Sequence, residues 1–350
     1  MKRMSLVAAI AVLAIQVAGA AQGKDANQVL AGARAALGGD KLAAVKTLSV
    51  AGRTSRTNAA GNTTESEFEM SLMLPDKYLM HSVLAAMGNM SVYRNTGFNG
   101  SQLIEEIDQP PNLQGGNVII RIAGPGGSAM DPSKMTPEQK AEADRLRLLA
   151  NQREYARLTL GMFAAAPAVY PLEFTYAGQA EAADGKADVI DVKNADGFAV
   201  RLFIDEKTHL PLMLSWMDKE PVTIQMTGGG PGGGPGGGNR VMQFSGGSGG
   251  AVMGGATTVQ RGADAKAGAA PSKEEMEKLQ KDVEERRKEA EAKRRTVEFR
   301  LYYGDYQAVG GVKLPFRIQR SIDGKPTEEM VFDTVKLNPK MDAKKFQSSK

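Results

Sequence analysis

Residues 296–346 read TVEFRLYYGDYQAVGGVKLPFRIQRSIDGKPTEEMVFDTVKLNPKMDAKKF, and this stretch decides the fold class. Apolar side chains alternate with polar ones in three segments: Val297, Phe299, Leu301 and Tyr303; Val312, Leu314, Phe316 and Ile318; and Met330 and Phe332, or the opposite parity Val331, Val335 and Leu337. A period of two predicts half-buried antiparallel strands, because successive side chains point to opposite faces of a sheet. Gly310-Gly311 and Asp323-Gly324 are hairpin turn signals. The stretch therefore predicts a β-meander with one apolar face.

The same alternation continues upstream of the meander. It predicts strands over residues 47–53, 65–74, 77–84, 90–95, 101–105, 172–177, 186–192, 198–204 and 210–216, with one more beginning at Val222. Residues 96–100 are predicted as a turn and 109–133 as a loop, because both are rich in Gly, Pro and Asn. Helical spacing predicts a helix over 25–37 and a helix over 137–150, with a second segment, 152–165, that continues or bends from it. Together these elements predict an α+β fold.

A long segment interrupts the strand pattern before the meander. Residues 228–255 hold 15 Gly in 28 positions, a composition that cannot bury enough apolar surface to offset its ordering entropy. Residues 272–295 carry nearly balanced charges and begin with the capping box Ser272 and Glu275. We therefore predict one domain over 21–226 and 296–350. A disordered insert over 227–271 and a charged, solvated helix over 272–295 interrupt it.

The first twenty residues are typical of a secretory signal peptide. Lys2 and Arg3 precede the apolar run 6–15, and the small residues 18–20 (AGA) suit cleavage near Ala20. The apolar run is too short for a comfortable membrane span, and no other stretch comes close, so we predict an exported chain that does not span the membrane. Without cysteine the chain has neither disulfides nor a lipidated N-terminal Cys. A net charge of +4, or +2 once the signal is removed, gives no argument for nucleic acid.

The sequence offers little catalytic chemistry. Its two histidines, His81 and His209, lie far apart and have no further His for a metal site. No Ser lies in a G-x-S-x-G elbow, and the run GGGPGGGPGGG lacks the Lys-Ser/Thr ending of a phosphate loop. We expect a non-enzymatic protein without cofactor or metal. A hydrolase is a third-rank hypothesis, supported only by scattered Asp and Glu residues.

Methionine is the one unusual count, at 18. Five of these residues fall within residues 70–90: Met70, Met73, Met80, Met87 and Met90. They either fill the core or form an adaptable surface for apolar ligands, since the Met side chain is flexible and polarisable.

Several motifs occur here in a familiar combination. They are LGGDKLAAVKTLSVAG (37–52), LPDKY (74–78), NTGFNG (95–100), FIDEKTHLPL (203–212), YYGDYQAVGGVKLPFRI (302–318) and LNPKMDAKKF (337–346). With the signal peptide, this order resembles the bacterial outer-membrane lipoprotein-sorting family, the LolA-like proteins, over roughly 25–227 and 296–347. The motifs are turn-and-strand features rather than a catalytic signature. The chain lacks the lipid-attachment Cys of that pathway's membrane-anchored acceptor.

The resemblance implies an unclosed antiparallel β-barrel wrapped around helices, with an apolar cavity between sheet and helices. It also implies a periplasmic carrier of lipid or lipoprotein acyl chains, with inner-membrane donor and outer-membrane acceptor proteins as further partners. Our candidate cavity residues are the inward rows of the predicted strands, although the parity of each strand is open: Phe68, Met70, Leu72, Val200, Leu202, Leu212, Leu214, Trp216, Phe299, Leu301 and Phe316. The alternative hypothesis is a periplasmic sensor or interaction module that acts through the insert 227–295.

Overall fold

Twelve antiparallel strands form one sheet in the computed structural model. The structure describes residues 24–58, 61–87, 90–108, 135–183, 185–228, 240–246 and 291–348, with the single residues 281, 285, 288 and 289. The strands of this sheet are β1 (Thr47–Thr57), β2 (Thr63–Met73), β3 (Lys77–Met87), β4 (Met90–Asn99), β5 (Gln102–Asp108), β6 (Glu173–Ala182), β7 (Gly185–Lys193), β8 (Ala199–Asp205), β9 (Pro211–Lys219), β12 (Thr296–Val309), β13 (Val312–Ile322) and β14 (Lys325–Leu337). Two further strands, β10 (Val222–Gly228) and β11 (Arg240–Gly246), form a separate pair.

The order of the large sheet is β5-β4-β3-β2-β1-β14-β13-β12-β9-β8-β7-β6. Within the described residues no ladder joins β5 to β6, so the sheet stays open, and the predicted unclosed antiparallel barrel is confirmed. In the part of the chain that the structure describes, β10 and β11 pair only with each other. The C-terminal meander β12–β14 lies in the middle of the order, where it joins the strands of the N-terminal part to β6–β9.

The two predicted turns of the meander are confirmed by backbone geometry. Gly310 and Gly311 have φ of 58° and 86°, and Asp323 and Gly324 have φ of 50° and 75°. Two consecutive residues with positive φ match the twist of antiparallel strands, and Gly or Asp adopts this conformation most readily. The row Val297, Phe299, Leu301 and Tyr303 is buried, as the alternation predicted.

Helices cover one face of the sheet, which we call the inner face. They are α1 (Ala26–Leu37), α2 (Asp40–Ala43) and α3 (Pro137–Phe163), and a 3-10 turn follows β14 at Ala343–Phe346. Asp25 caps α1, and Thr136 with Gln139 forms a capping box at the start of α3, where Pro137 takes the first position. One contiguous hydrophobic core joins α1, the second half of α3 and the inner face.

One sequence prediction about an element was wrong, because residues 96–99 continue β4 instead of turning. Residues 137–163 form one continuous helix, which is the first of the two courses predicted for the segment 152–165. Gly97 lies where β3 approaches closely: a Cβ there would come 2.0 Å from the backbone oxygen of Tyr78. In α3 the Asn151 side chain donates to the Arg147 carbonyl, so it bonds within the helix and does not break it.

The interruption between β9 and β12 leaves the sheet intact, because these two strands pair directly from Thr296↔Lys219 to Tyr302↔Met213. Glu220 and Arg295 close the junction through backbone and side-chain hydrogen bonds. The predicted signal peptide and the loop 109–133 lie outside the described residues. So do most of the Gly-rich segment and most of the charged helix 272–295.

Candidate functional site

Nine of the eleven candidate lining residues are buried in the core on the inner face: Phe68, Met70, Leu72, Val200, Leu202, Leu214, Trp216, Phe299 and Leu301. Phe316 is partly buried and packs against this core, with its ring 6.3 Å from that of Phe332. The structure thus brings ten of the candidates to one side of the sheet.

Leu212 is the exception among the candidates. Its side chain is 39% exposed, whereas Leu214 and Trp216 of the same strand are buried. The register between β8 and β9 shifts at this point, from Phe203↔Met213 to Ile204↔Pro211, so Leu212 has no partner in β8. A bulge of this kind rotates the strand and changes which side chains face inward.

Helix α3 lies directly on this inner face. Tyr155, Leu160 and Met162 are fully buried within the shared core. At Gly161 the helix comes so close to the sheet that an added Cβ would lie 2.1 Å from the ring of Tyr303. The second half of α3 therefore fills the space in front of the lining residues.

Two tyrosine hydroxyls of β12 fasten the helix backbone to the sheet. Tyr303 donates to the Arg157 carbonyl at 2.6 Å. Tyr306 bonds the Gly161 carbonyl at 3.3 Å and the Pro211 carbonyl at 2.7 Å. Burial raises the pKa of both phenols far above their ordinary value, so both remain donors at neutral pH.

A chain of five charged side chains crosses the interface between α3 and the sheet. Arg157 donates to Glu154, whose other oxygen accepts from Arg320 at 2.7 Å. Arg320 also lies 3.4 Å from Glu328, and Glu328 accepts from Arg56 at 2.8 Å. We call this set the ion chain. Replacing buried ion pairs with apolar groups is often neutral or stabilising, so stability alone does not explain the ion chain.

The surroundings shift the pKa values of the ion chain. Burial lowers the pKa of Arg157, against the opposing effect of Glu154. Burial would also lower the pKa of Arg320, but Glu154 and Glu328 together hold it above its ordinary value. Burial would raise the pKa of Glu328, and the charges of Arg56 and Arg320 outweigh this effect and lower it. The raised pKa of Arg320 and the lowered pKa of Glu328 both favour the charged forms, so this pair is ionised at neutral pH.

Trp216 lies where the ion chain meets the apolar face. Its ring stacks on Phe299 with centroids 5.4 Å apart, and the Arg157 guanidinium lies 4.3 Å from its centre. Arg320 approaches the same ring at 5.8 Å. Cations over an indole face are attracted by its quadrupole, so this ring positions both arginines. Trp216 is the only tryptophan of the chain.

A cavity of about 30 Å³ remains between α3 and the sheet. This volume suits a single water molecule. The lining combines charged and apolar side chains: Tyr78, Met80, Glu154, Leu158, Leu301, Ile318, Arg320, Glu328 and Met330. In the part of the chain that the structure describes, the second half of α3 thus packs closely on the inner face around this small cavity.

The ion chain was not predicted, although the sequence contains a signal for it. Arg320 continues the inward row Leu314, Phe316 and Ile318, and Glu328 shares the parity of Met330 and Phe332. A charge at an inward position of an otherwise apolar row indicates a buried polar partner. On α3, Glu154 lies one helical turn before the buried Leu158.

The two histidines lie apart from this site. His81 bonds Asn95 at 2.7 Å and stacks on Tyr93, and His209 lies against Gly32 of α1. Within the described ranges no group of three or more His, Asp or Glu side chains could hold a metal ion. None of the helices in the same ranges has the length and apolar character needed to cross a bilayer.

Comparison with solved structures finds a likeness to the predicted family. The chain is similar to a LolA superfamily protein from Nitrosomonas europaea, at 10% identity and a TM-score of 0.46, covering 93% of this chain and 99% of that one. A DUF1329 family protein from Desulfovibrio piger matches at 8% identity and a TM-score of 0.43, covering 93% and 98%. An outer membrane lipoprotein-sorting protein domain from Vibrio parahaemolyticus matches at 6% and 0.38, covering 92% and 97%.

No protein-family model matches the chain, and no curated protein matches it by sequence. With identities of 10% or less and TM-scores below 0.5, the structural likenesses carry no conclusion about what this chain binds. That question turns on its own residues.

Proposed function

We propose that this chain is an exported, non-enzymatic carrier that holds acyl chains of lipids or lipoproteins against the inner face of its sheet in the periplasm. One observation supports the proposal above the others. Ten of the candidate lining residues lie on one apolar face that is covered by helices, and the longest of these, α3, is fastened to the sheet by two tyrosine hydroxyls. Donor and acceptor proteins of the two membranes would be its partners.

The need for such a host follows from the cost of exposing an acyl chain. Each buried CH₂ contributes about 0.8 kcal/mol, so a sixteen-carbon chain in water costs on the order of 12 kcal/mol. A carrier must offer apolar surface of comparable extent, and the inner face does so once α3 is displaced.

We propose that α3 is displaced when an acyl chain enters, because the cavity between α3 and the sheet measures only about 30 Å³. The ion chain lowers the cost of this step. Buried charges are destabilised relative to water, so Glu154, Arg157 and Arg320 regain hydration when the helix leaves the sheet. The apolar contacts that α3 loses are replaced by those of the acyl chain.

Trp216 provides the test, because it is the only tryptophan and lies on the proposed contact face. Fatty acids brominated along the chain should quench its fluorescence in a saturable way, and the same acids without bromine should not. Trp216→Phe controls for background emission. If brominated chains fail to quench and native mass spectrometry finds no bound acyl mass, the carrier proposal is wrong.

A second candidate function is an interaction or sensor module acting through the insert 227–295. It is favoured by the direct pairing of β9 with β12, since the sheet does not need the intervening residues. We therefore also propose that residues 21–226 and 296–350 form one folding unit from which the insert projects.

A further inference from the structure

Seven exposed lysines gather at one end of the sheet. They come from five separate places along the chain, and in the described residues none of them forms an ion pair with a carboxylate. We call this set the lysine face: Lys41, Lys46, Lys313, Lys336, Lys340, Lys344 and Lys345.

The fold brings these places together through short contacts. Lys41 of α2 lies across the β12–β13 turn, because a Cβ on Gly311 would come 2.5 Å from its Nζ atom. The backbone N–H of Lys46 donates to the Asn338 side chain at 2.7 Å. Asn338 in turn donates its own N–H to the Thr47 carbonyl at 2.8 Å. The start of β1, the end of β14, α2 and the β12–β13 turn thus meet.

The C-terminal 3-10 turn completes the lysine face. Phe346 is fully buried against Leu79 and Ile104 on the outer side of β3–β5. This anchor fixes Ala343–Phe346 to the sheet and leaves Lys344 and Lys345 exposed. The positions of these two lysines are therefore set by packing rather than by a free tail.

Two of the carboxylates next to the lysine face in the chain are already engaged. Asp76 pairs with Lys77 at 3.0 Å, and Asp342 caps the 3-10 turn by accepting from the Lys344 N–H. Asp40 is exposed at the start of α2. The whole chain carries a net charge of only +4, so seven lysines on one face make a strongly asymmetric charge distribution.

We infer that the lysine face docks the protein on bilayers that contain anionic lipids. Lysines act as point charges and do not recognise phosphate or carboxylate in the bidentate way of arginine. Protein interfaces rely on aromatic or arginine anchors in pockets. In the described residues the exposed large apolar side chains are Leu212 and Met217, both on β9. A spread of lysines without anchors fits the diffuse charge of an anionic lipid surface.

This inference goes beyond the proposed function, because it concerns where the protein docks and not what its interior holds. A carrier has to meet a membrane to load or unload, and electrostatic docking weakens as salt rises. Each lysine near an anionic surface changes the partition coefficient by about fivefold.

Vesicle flotation of the full mature chain, without added acyl ligand, tests the inference. We expect binding to phosphatidylcholine vesicles that contain about 30% phosphatidylglycerol and none to phosphatidylcholine alone. The variant K313E/K340E/K345E should lose more than tenfold in partition coefficient. The matched variant K140E/K193E/K325E, which has the same net charge but changes exposed lysines elsewhere, should stay within about twofold.

As a control, the thermal unfolding temperature of both variants is compared with that of the wild type. Equal temperatures mean that the substitutions changed the charges and left the fold intact. Equal losses in the two variants, or binding that persists at roughly 0.5 M salt, would overturn the inference. The inference would also be overturned if the protein failed to bind the vesicles but was captured on immobilised polyglutamate. That result would favour an acidic protein partner. These outcomes are distinct from a failure of Trp216 quenching, because no acyl ligand is used.

Discussion

At the scale of single residues, the closest approach of helix and sheet is the contact between Gly161 and Tyr303. Gly161→Ala places a methyl group 2.1 Å from the Tyr303 ring. The ring cannot rotate away without losing its hydrogen bond to the Arg157 carbonyl, which is on the same helix. Alanine gains about 1 kcal/mol in helix propensity, but overpacking costs about 1–3 kcal/mol or more. We expect a net loss of about 1–2 kcal/mol in a urea unfolding titration.

Gly304→Ala is the matched control, since a Cβ at Gly304 meets no atom within 4 Å. It should leave the free energy of unfolding unchanged or slightly raised. Gly161→Ala should cost less stability when it is introduced into Tyr303→Leu than into the wild type, because the obstructing ring is then gone. An undiminished stability of G161A would show that α3 can shift on the sheet without loss.

Glu328 makes stability depend on pH. Its pKa is lowered from the ordinary 4.5, because the effect of Arg56 and Arg320 exceeds that of burial. The unfolded chain therefore binds the proton more tightly, and the stabilisation is fully present above about pH 4.5 and lost as pH falls through the folded pKa. Glu328→Gln should lower stability at pH 7 by about 1–3 kcal/mol and flatten the acid limb of the stability curve.

Urea titrations at pH 7, about pH 4.5 and about pH 3 measure this effect, and Glu69→Gln is the control, because Glu69 is an exposed carboxylate of β2. The Glu69 variant should follow the wild-type curve. If Glu328→Gln loses stability below about pH 4.5 as steeply as the wild type, other carboxylates determine the acid limb.

Single residues also show which features of the fold the sequence pattern predicts and which it does not. Alternation placed Phe299, Leu301 and Tyr303 correctly because inward side chains of a regular strand follow a period of two. It failed at Leu212, where a bulge shifts the period by one residue. Such a bulge depends on the partner strand, and a single strand's sequence does not encode it.

At the scale of elements, α3 is the part that must move in the proposed function. Tyr303→Phe with Tyr306→Phe removes the hydroxyls that fasten its backbone to β12 and Pro211. Each bond contributes about 1 kcal/mol, so opening should become several-fold more frequent. We expect faster amide hydrogen exchange in the second half of α3 and faster quenching of Trp216 by brominated acyl chains.

Tyr302→Phe is the control, because Tyr302 packs with Phe203 and Met213 in a separate cluster. It should change neither exchange in α3 nor the quenching rate. Faster exchange without faster quenching would mean that acyl chains enter by a route that does not depend on α3.

Element types were predictable where local rules decide them. The capping box at Thr136 and the Asp-Gly turn at Asp323 are read from neighbouring residues, and both were found. β4 was cut short in the prediction because Gly97 is typical of a turn. In the structure this glycine instead makes room for the backbone of β3, a contact between strands that the local sequence does not show.

At the scale of the whole molecule, the order of the strands was not predictable from the pattern alone. The C-terminal meander joins β1 on one side and β9 on the other, so residues about 280 positions apart become neighbours, as in Arg53 and Asp333. These long-range pairings also explain why the insertion is tolerated. β9 and β12 would pair in the same way across a short connection.

This arrangement predicts that residues 222–293 are dispensable for the fold. A variant in which a linker of about four Gly and Ser residues replaces them keeps Glu220, Arg294 and Arg295 at the junction. Loop-closure entropy grows slowly with length, so shortening the connection should leave Tm unchanged or slightly raised. Calorimetry of the variant and the full chain measures this. A loss of more than about 5 °C would show that the segment packs on the sheet.

The same variant separates the two candidate functions, because the proposed acyl site lies outside the deleted residues. If the chain is a carrier, saturable quenching of Trp216 by brominated acyl chains should persist, and periplasmic pull-downs should recover the same proteins as the full chain. If the insert is the working part, quenching should be unaffected while the recovered partner disappears. Loss of quenching at an unchanged Tm would contradict both, since it would place residues of the insert in the acyl site itself.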